Sequence, residues 1–116
     1  MLGSVLNHHN SPDPINKCRT SLGCWKDSGE TRAISGGARS TPKTYSTTPI
    51  TDCHEIAERE GWSIFGLQAG GVPCFTAADA GNTYQKHGRS EVCVDGKGGS
   101  WASDVYRITE CPDMGE

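Results

Sequence analysis

Six cysteines, Cys18, Cys24, Cys53, Cys74, Cys93 and Cys111, are spread along a chain of 116 residues. They constrain the fold more than any other feature, because little else can hold it together. Leu, Ile, Val and Phe together number only 17, so the apolar core is thin. A thin core with a large net charge would suggest disorder, but the net charge is only −3. A small core can instead be held by cross-links, and an even cysteine count favours three disulfides in an oxidising, extracellular setting. On the cysteines alone fifteen connectivities are open. So is the alternative of six buried thiols in a reducing compartment. No C-x-x-C occurs, so neither a zinc ribbon nor a thioredoxin-type redox pair is supported.

The length suits one domain. Met1-Leu2-Gly3-Ser4-Val5-Leu6 lacks the basic start and apolar length of a secretory signal, and no segment approaches membrane-spanning length. A secreted protein read from this sequence would be a mature domain or an excised fragment, with no membrane insertion. The mild acidity argues against a nucleic-acid backbone or an anionic membrane as partner.

The pattern along the chain predicts a small disulfide-stabilised α+β domain, with one main helix packed on an antiparallel sheet. Residues 1–17, with Pro12, Pro14, His8 and His9, read as a flexible arm, residues 18–111 as the domain, and 112–116 as a tail. The His8-His9 pair reads as a solvated tail and not a metal site. Leu22 to Asp27 reads as a strand followed by a Ser28-Gly29 turn, and Arg32-Ala33-Ile34 as a short second strand. Ser35 to Thr48, rich in Gly, Ser, Thr and Pro, reads as a surface loop. The clearest helix runs from Asp52 to Glu60, with Asp52 as cap, Glu55 completing a capping box, and Gly61 as the left-handed stop. Cys53, Ile56 and Ala57 share its buried face. Trp62 to Gln68 and Val72 to Phe75 read as a hairpin around glycines, Thr76 to Asp79 as a second helix cap, Gly81 to Gly88 as a helical turn plus loop, and Val105 to Ile108 as a last strand.

Catalytic motifs fail one by one. Asp95-Gly96-Lys97-Gly98-Gly99-Ser100 has the composition of a phosphate loop, but Lys97 precedes the glycine pair and a strand, not a helix, follows. The same stretch fails the calcium-loop pattern, because Lys97 and Gly99 carry no oxygen side chain where ligands are needed. His54-Glu55 would need a second histidine where Glu58 stands, so a zinc-protease motif is absent. G-x-S-x-G is absent too. No enzyme, cofactor or metal is expected.

Three short stretches pair a flat ring with hydrogen-bonding neighbours: Trp25-Lys26-Asp27, Tyr84-Gln85-Lys86 and Ser100-Trp101. Sugar-binding surfaces use that combination, because a pyranose offers an apolar face and a rim of hydroxyls. The competing explanation is that these rings fill the thin core.

Taken in order, "LGCWKDSGETRAI", a cysteine opening a helix, "GWSIFGLQAGGVPCF" and "CVDGKGGSWASDVY" resemble the WSC domain. That is a small extracellular cysteine-rich module, with related copies in multidomain proteins of marine invertebrates. The likeness spans roughly Leu22 to Ile108. Where the family pattern has a second helix cysteine this chain has Ala57, and where it has a second strand cysteine this chain has Thr76. Positions 53 and 57 share a helix face and 74 and 76 a strand face, so the joint loss implies one missing helix–strand disulfide and one kept, Cys53–Cys74. Lys97 replaces the family's late cysteine, which leaves Cys93 for Cys24, and the flanking Cys18 and Cys111 for each other. The resemblance also makes the 95–100 stretch a structural glycine turn.

What the resemblance implies is a secreted binding module whose partner is a glycan or polysaccharide, with Trp25, Asp27, Arg32, Gln68, Tyr84, Lys86 and Trp101 as candidate contacts. For Asp27 and Arg32 the alternative is an internal salt bridge, and for Gln68 a buried side chain satisfying loop amides. Two other functions compete: a protein–protein adhesion or receptor module, which needs an exposed apolar patch, and a secreted matrix or defence protein.

Overall fold

The computed structural model describes residues 17–35, 38–39, 48–70 and 73–111. The expected arm up to residue 16, the tail from 112 and most of the 35–48 loop lie outside the described residues. Within them, the chain forms strand β1 (Cys18–Lys26), β2 (Ala38–Arg39), helix α1 (Pro49–Glu60), β3 (Ile64–Leu67), β4 (Cys74–Thr76), the short helix α2 (Ala80–Thr83) and β5 (Ala102–Thr109). The strands make one antiparallel sheet in the order β1-β5-β3-β4-β2. The architecture is the small disulfide-stabilised α+β domain expected from the pattern, with α1 packed on the sheet.

Period-two alternation sends the strand residues to two faces. Phe65, Leu67, Cys74 and Tyr106 meet Cys53 and Ala57 of α1 on one face, with Ile50, Ile56 and Ile108 at the margin. Ile64, Phe75 and Val105 point the other way and pack with Ile34, Ala77, Ala80 and Tyr84, flanked by Leu22 and Trp25. So the thin core is really two small cores on one sheet. Three disulfides tie it: Cys18–Cys111, Cys24–Cys93 and Cys53–Cys74. These are the pairs the family resemblance implies. In the chain-entropy view each stabilises by roughly 3 to 5 kcal/mol, comparable to the whole stability of many domains.

Local details differ from the sequence reading, each for a physical reason. Helix α1 starts at Pro49, three residues early, because proline's fixed φ suits the first helical position. The Asp52 N–H already bonds the Thr48 carbonyl at 2.9 Å, so Asp52 is a first-turn acid and not the cap. Gly61 does end the helix in the left-handed conformation. Arg32-Ala33-Ile34 forms bends, not a strand, because a carboxylate takes the Ala33 N–H that a ladder would need. Thr76 ends β4, where its hydroxyl donates to the Ile64 carbonyl at 2.7 Å, and α2 begins only at Ala80 with Asp79 before it, so Thr76 is too far upstream to cap it.

Candidate functional site

The end of the sheet where β1 leaves and β5 begins is organised by one carboxylate. Asp27 follows β1 directly, and its Oδ1 accepts the Ser28 N–H at 2.8 Å and the Ala33 N–H at 2.7 Å. Its Oδ2 accepts Arg32 through Nε at 2.9 Å and Nη2 at 2.7 Å, and also Gln68 Nε2. Burial pushes the Asp27 carboxyl up. The bonds from Ala33, Gln68, Arg32 and Ser28 outweigh it and hold the group below its ordinary value. Gln68 Nε2 also donates to Ser103 Oγ at 3.0 Å, so β3, β5 and the 27–33 bend meet on one polar knot.

On this knot stands Trp101. Its φ is +52°, a left-handed backbone that a bulky L residue adopts only when its surroundings impose it. The Asp27 N–H bonds its carbonyl at 2.9 Å, and the side chain remains 54% exposed. Gly29 lies so close to the ring edge that a Cβ there would come within 3.0 Å of Trp101 Cη2. The Arg32 guanidinium, oriented by Asp27, lies 4.6 Å from the Phe75 ring centroid and 5.4 Å from that of Trp101. Together with Gln68, Ala69, Pro73, Gly99 and Ser100, these residues line an open depression of about 330 Å³.

The glycine loop beneath it holds no phosphate cradle. The Lys97 N–H donates to the Val94 carbonyl, the Gly98 N–H to Asp104 Oδ2 at 2.9 Å, and the Gly99 N–H to the Ala102 carbonyl. The three amides that an anion would need are spent inside the fold. The glycines serve close approach: a Cβ on Gly98 would run into the Leu67 carbonyl, and one on Gly99 into the Val92 carbonyl.

The seven candidate contacts do not form one surface. Arg32, Gln68 and Trp101 line the depression, with Asp27 beneath. Gln68 is only 6% exposed and bonds Asp27 and Ser103, and Asp27 is engaged on both oxygens, so the two take the roles given as alternatives, a buried polar side chain and an internal salt bridge with Arg32. Trp25 takes the competing explanation, packed against the core. Its Nε1 donates to the Leu22 carbonyl at 2.8 Å, Tyr84 meets it edge-on at 5.3 Å, and the Arg89 guanidinium covers it at 4.6 Å. Tyr84 is buried in the same core cluster and offers no platform, while Lys86 is exposed on the turn after α2, outside the depression. Phe75 and Ser103 were missed by the sequence reading. Strand alternation around Cys74 and Val105 puts both on that face of the sheet, but nothing local links them to Asp27.

A second polar centre lies on the helix face. His54 is fully buried, lies tilted against Phe65 with ring centroids 5.6 Å apart, and accepts Arg19 Nη1 at Nδ1 over 2.8 Å. Its proton therefore sits on Nε2, 3.7 Å from Glu58 Oε1. Burial first, then the Arg19 charge, lower its pKa, against a smaller upward pull from Glu55. Among the described residues no group of three or more His, Cys, Asp or Glu could hold a metal ion.

No family model matches this chain, and no curated protein matches it either.

Proposed function

We propose that the domain is an extracellular carbohydrate-binding module of WSC type, with the Trp101 depression as its site. The observation that carries this reading is Trp101 itself: a large ring held half-exposed, on a backbone costing about 1–2 kcal/mol, beside a guanidinium already oriented by a buried carboxylate. Such a pair suits a sugar ring, whose C–H face stacks on indole while its hydroxyls bond the Arg32 Nη1, the Ser100 hydroxyl and loop carbonyls. Three disulfides are compatible with an oxidising extracellular setting. Shallow sites of this kind bind weakly and gain strength from multivalency.

The test is a glycan and polysaccharide panel probed with the oxidised domain presented in several copies. Binding that disappears in Trp101→Ala, with far-ultraviolet circular dichroism and melting temperature unchanged, supports the reading. A blank across the panel overturns it. A second reading, a protein-adhesion surface, rests on Val92 and Val94, which are 54% and 61% exposed. It expects Val92→Ser and Val94→Ser, and not Trp101→Ala, to abolish capture of a partner.

A further inference from the structure

On the far side of β1 lies a second depression, of about 510 Å³, lined by Lys26, Arg89, Ser90, Glu91 and Val92. Lys26 closes β1 and is exposed. Arg89 is also exposed and stacks over Trp25, so its planar guanidinium is already oriented. Neither cation forms an ion pair or a side-chain hydrogen bond within the described residues, although the chain has more acids than bases. Glu91 shares the wall without pairing with either. By contrast Lys17, Arg32 and Arg59 each hold a carboxylate.

The two depressions adjoin. The Lys26 N–H bonds the Gly88 carbonyl and the Asp27 N–H the Trp101 carbonyl, so consecutive residues anchor the two walls. Gly99, in the wall of the first, packs against Val92, in the wall of the second.

From this juxtaposition we infer that the ligand is an acidic polysaccharide: one sugar ring stacks on Trp101 while a carboxylate or sulfate group of the same chain is held by Lys26 and Arg89. The inference rests on the carbohydrate reading above and narrows its substrate class. A neutral polysaccharide would leave both cations unused. An anionic one gains a bidentate, charge-assisted contact from Arg89 and a point charge from Lys26.

The test compares the oxidised chain, immobilised in several copies, against dextran, dextran sulfate and polygalacturonate. The last two separate sulfate from carboxylate. Binding is expected to one or both charged polymers in preference to dextran, and to fall about tenfold in Lys26→Gln and in Arg89→Gln, the loss typical of one charged hydrogen bond. Lys26 is exposed and unpacked, so its variant reports even if Arg89→Gln disturbs Trp25. Arg107→Gln removes an exposed positive charge from β5, away from both depressions, and is expected to bind as the parent does. Equal binding to dextran, no effect of Lys26→Gln and Arg89→Gln, or an equal loss in Arg107→Gln overturns the inference. Trp101-dependent binding to dextran alone overturns the acidic class and leaves the carbohydrate reading standing. No binding to any of the three polymers overturns the inference as well, and a blank across the whole panel removes both.

Discussion

Asp27→Asn keeps the shape of the side chain at the polar knot and removes its charge. An amide oxygen can keep the Ser28 and Ala33 N–H groups, since it accepts as a carboxylate oxygen does. The new NH2 then faces three donors, Arg32 Nε, Arg32 Nη2 and Gln68 Nε2. The Arg32 side chain is 33% exposed and can turn to water, so its part of the loss is that of a surface pair, about 0.5 to 1 kcal/mol. Gln68 Nε2 keeps its Ser103 bond, but its second N–H is left buried without an acceptor, at about 1 to 3 kcal/mol. The sum is about 3 kcal/mol, a fall in melting temperature on the order of 15 °C for a domain of this size. The pH dependence sharpens the test. The folded Asp27 titrates below its ordinary value of 3.8, so its stabilisation is complete above 3.8 and fades as pH falls through the folded value. Thermal melts followed by circular dichroism should therefore show a wide gap between parent and variant at neutral pH that narrows in acid. A fall of only a few degrees, or a gap unchanged far below pH 3.8, would refute the account of Asp27 as the organising charge.

Three further outcomes are expected. Nitrogen NMR of the imidazoles should find His54 as the Nε2–H tautomer, titrating below its ordinary 6.5; stability should rise with pH between the folded value and 6.5, and an Nδ1–H form would contradict the Arg19 bond. Gly98→Ala combines a left-handed φ with a collision against the Leu67 carbonyl and should cost more than about 3 kcal/mol, whereas Gly88→Ala, with a similar φ and open space, should cost about 1 kcal/mol; equal losses in denaturant melts would remove the collision from the argument. Trp101→Asn places a residue that tolerates the left-handed region at the strained position, so stability should stay within about 1 kcal/mol of the parent while panel binding is lost. A large fall in melting temperature would make Trp101 a structural residue.

Much of the frame is legible in the sequence because it is local or covalent. The resemblance to the WSC pattern, with Ala57 and Thr76 standing where that pattern has cysteines, implies the pairing of Cys53 with Cys74, and that bond joins α1 to β4. Gly61 after an amphipathic run marks a helix end, and the failed context of Asp95 to Ser100 already excludes a phosphate loop. The candidate site is far less legible. Asp27 and Arg32 are five residues apart and readable as a salt bridge, but Gln68 reaches Asp27 from 41 positions away. Only the pairing of β1 and β3 to opposite edges of β5 brings them together. Trp25 resembles Trp101 in its polar flanks, yet Arg89 and Tyr84 cover it, and neither partner is a sequence neighbour. Nothing in Gly99-Ser100-Trp101 announces a left-handed tryptophan, since the same letters suit the start of a strand.

The pairing of Cys18 with Cys111 has a mechanical meaning. The chain enters the domain at one cysteine and leaves at the other, with their Cα atoms 4.8 Å apart. Pulled from that end, the antiparallel β1–β5 ladder would open like a zipper, one pair of bonds after another, beginning at Cys18 and Thr109. The disulfide stands before the first tooth. Tension passing along a longer polypeptide would cross from sulfur to sulfur, and the sheet, both depressions and Trp101 would bear none of it. A force–extension trace of the oxidised domain should show no unfolding step, and reduction should release the interior chain at low load. An oxidised domain that unfolds in steps would refute this. A module tied off in this way keeps its surface intact on a loaded strand.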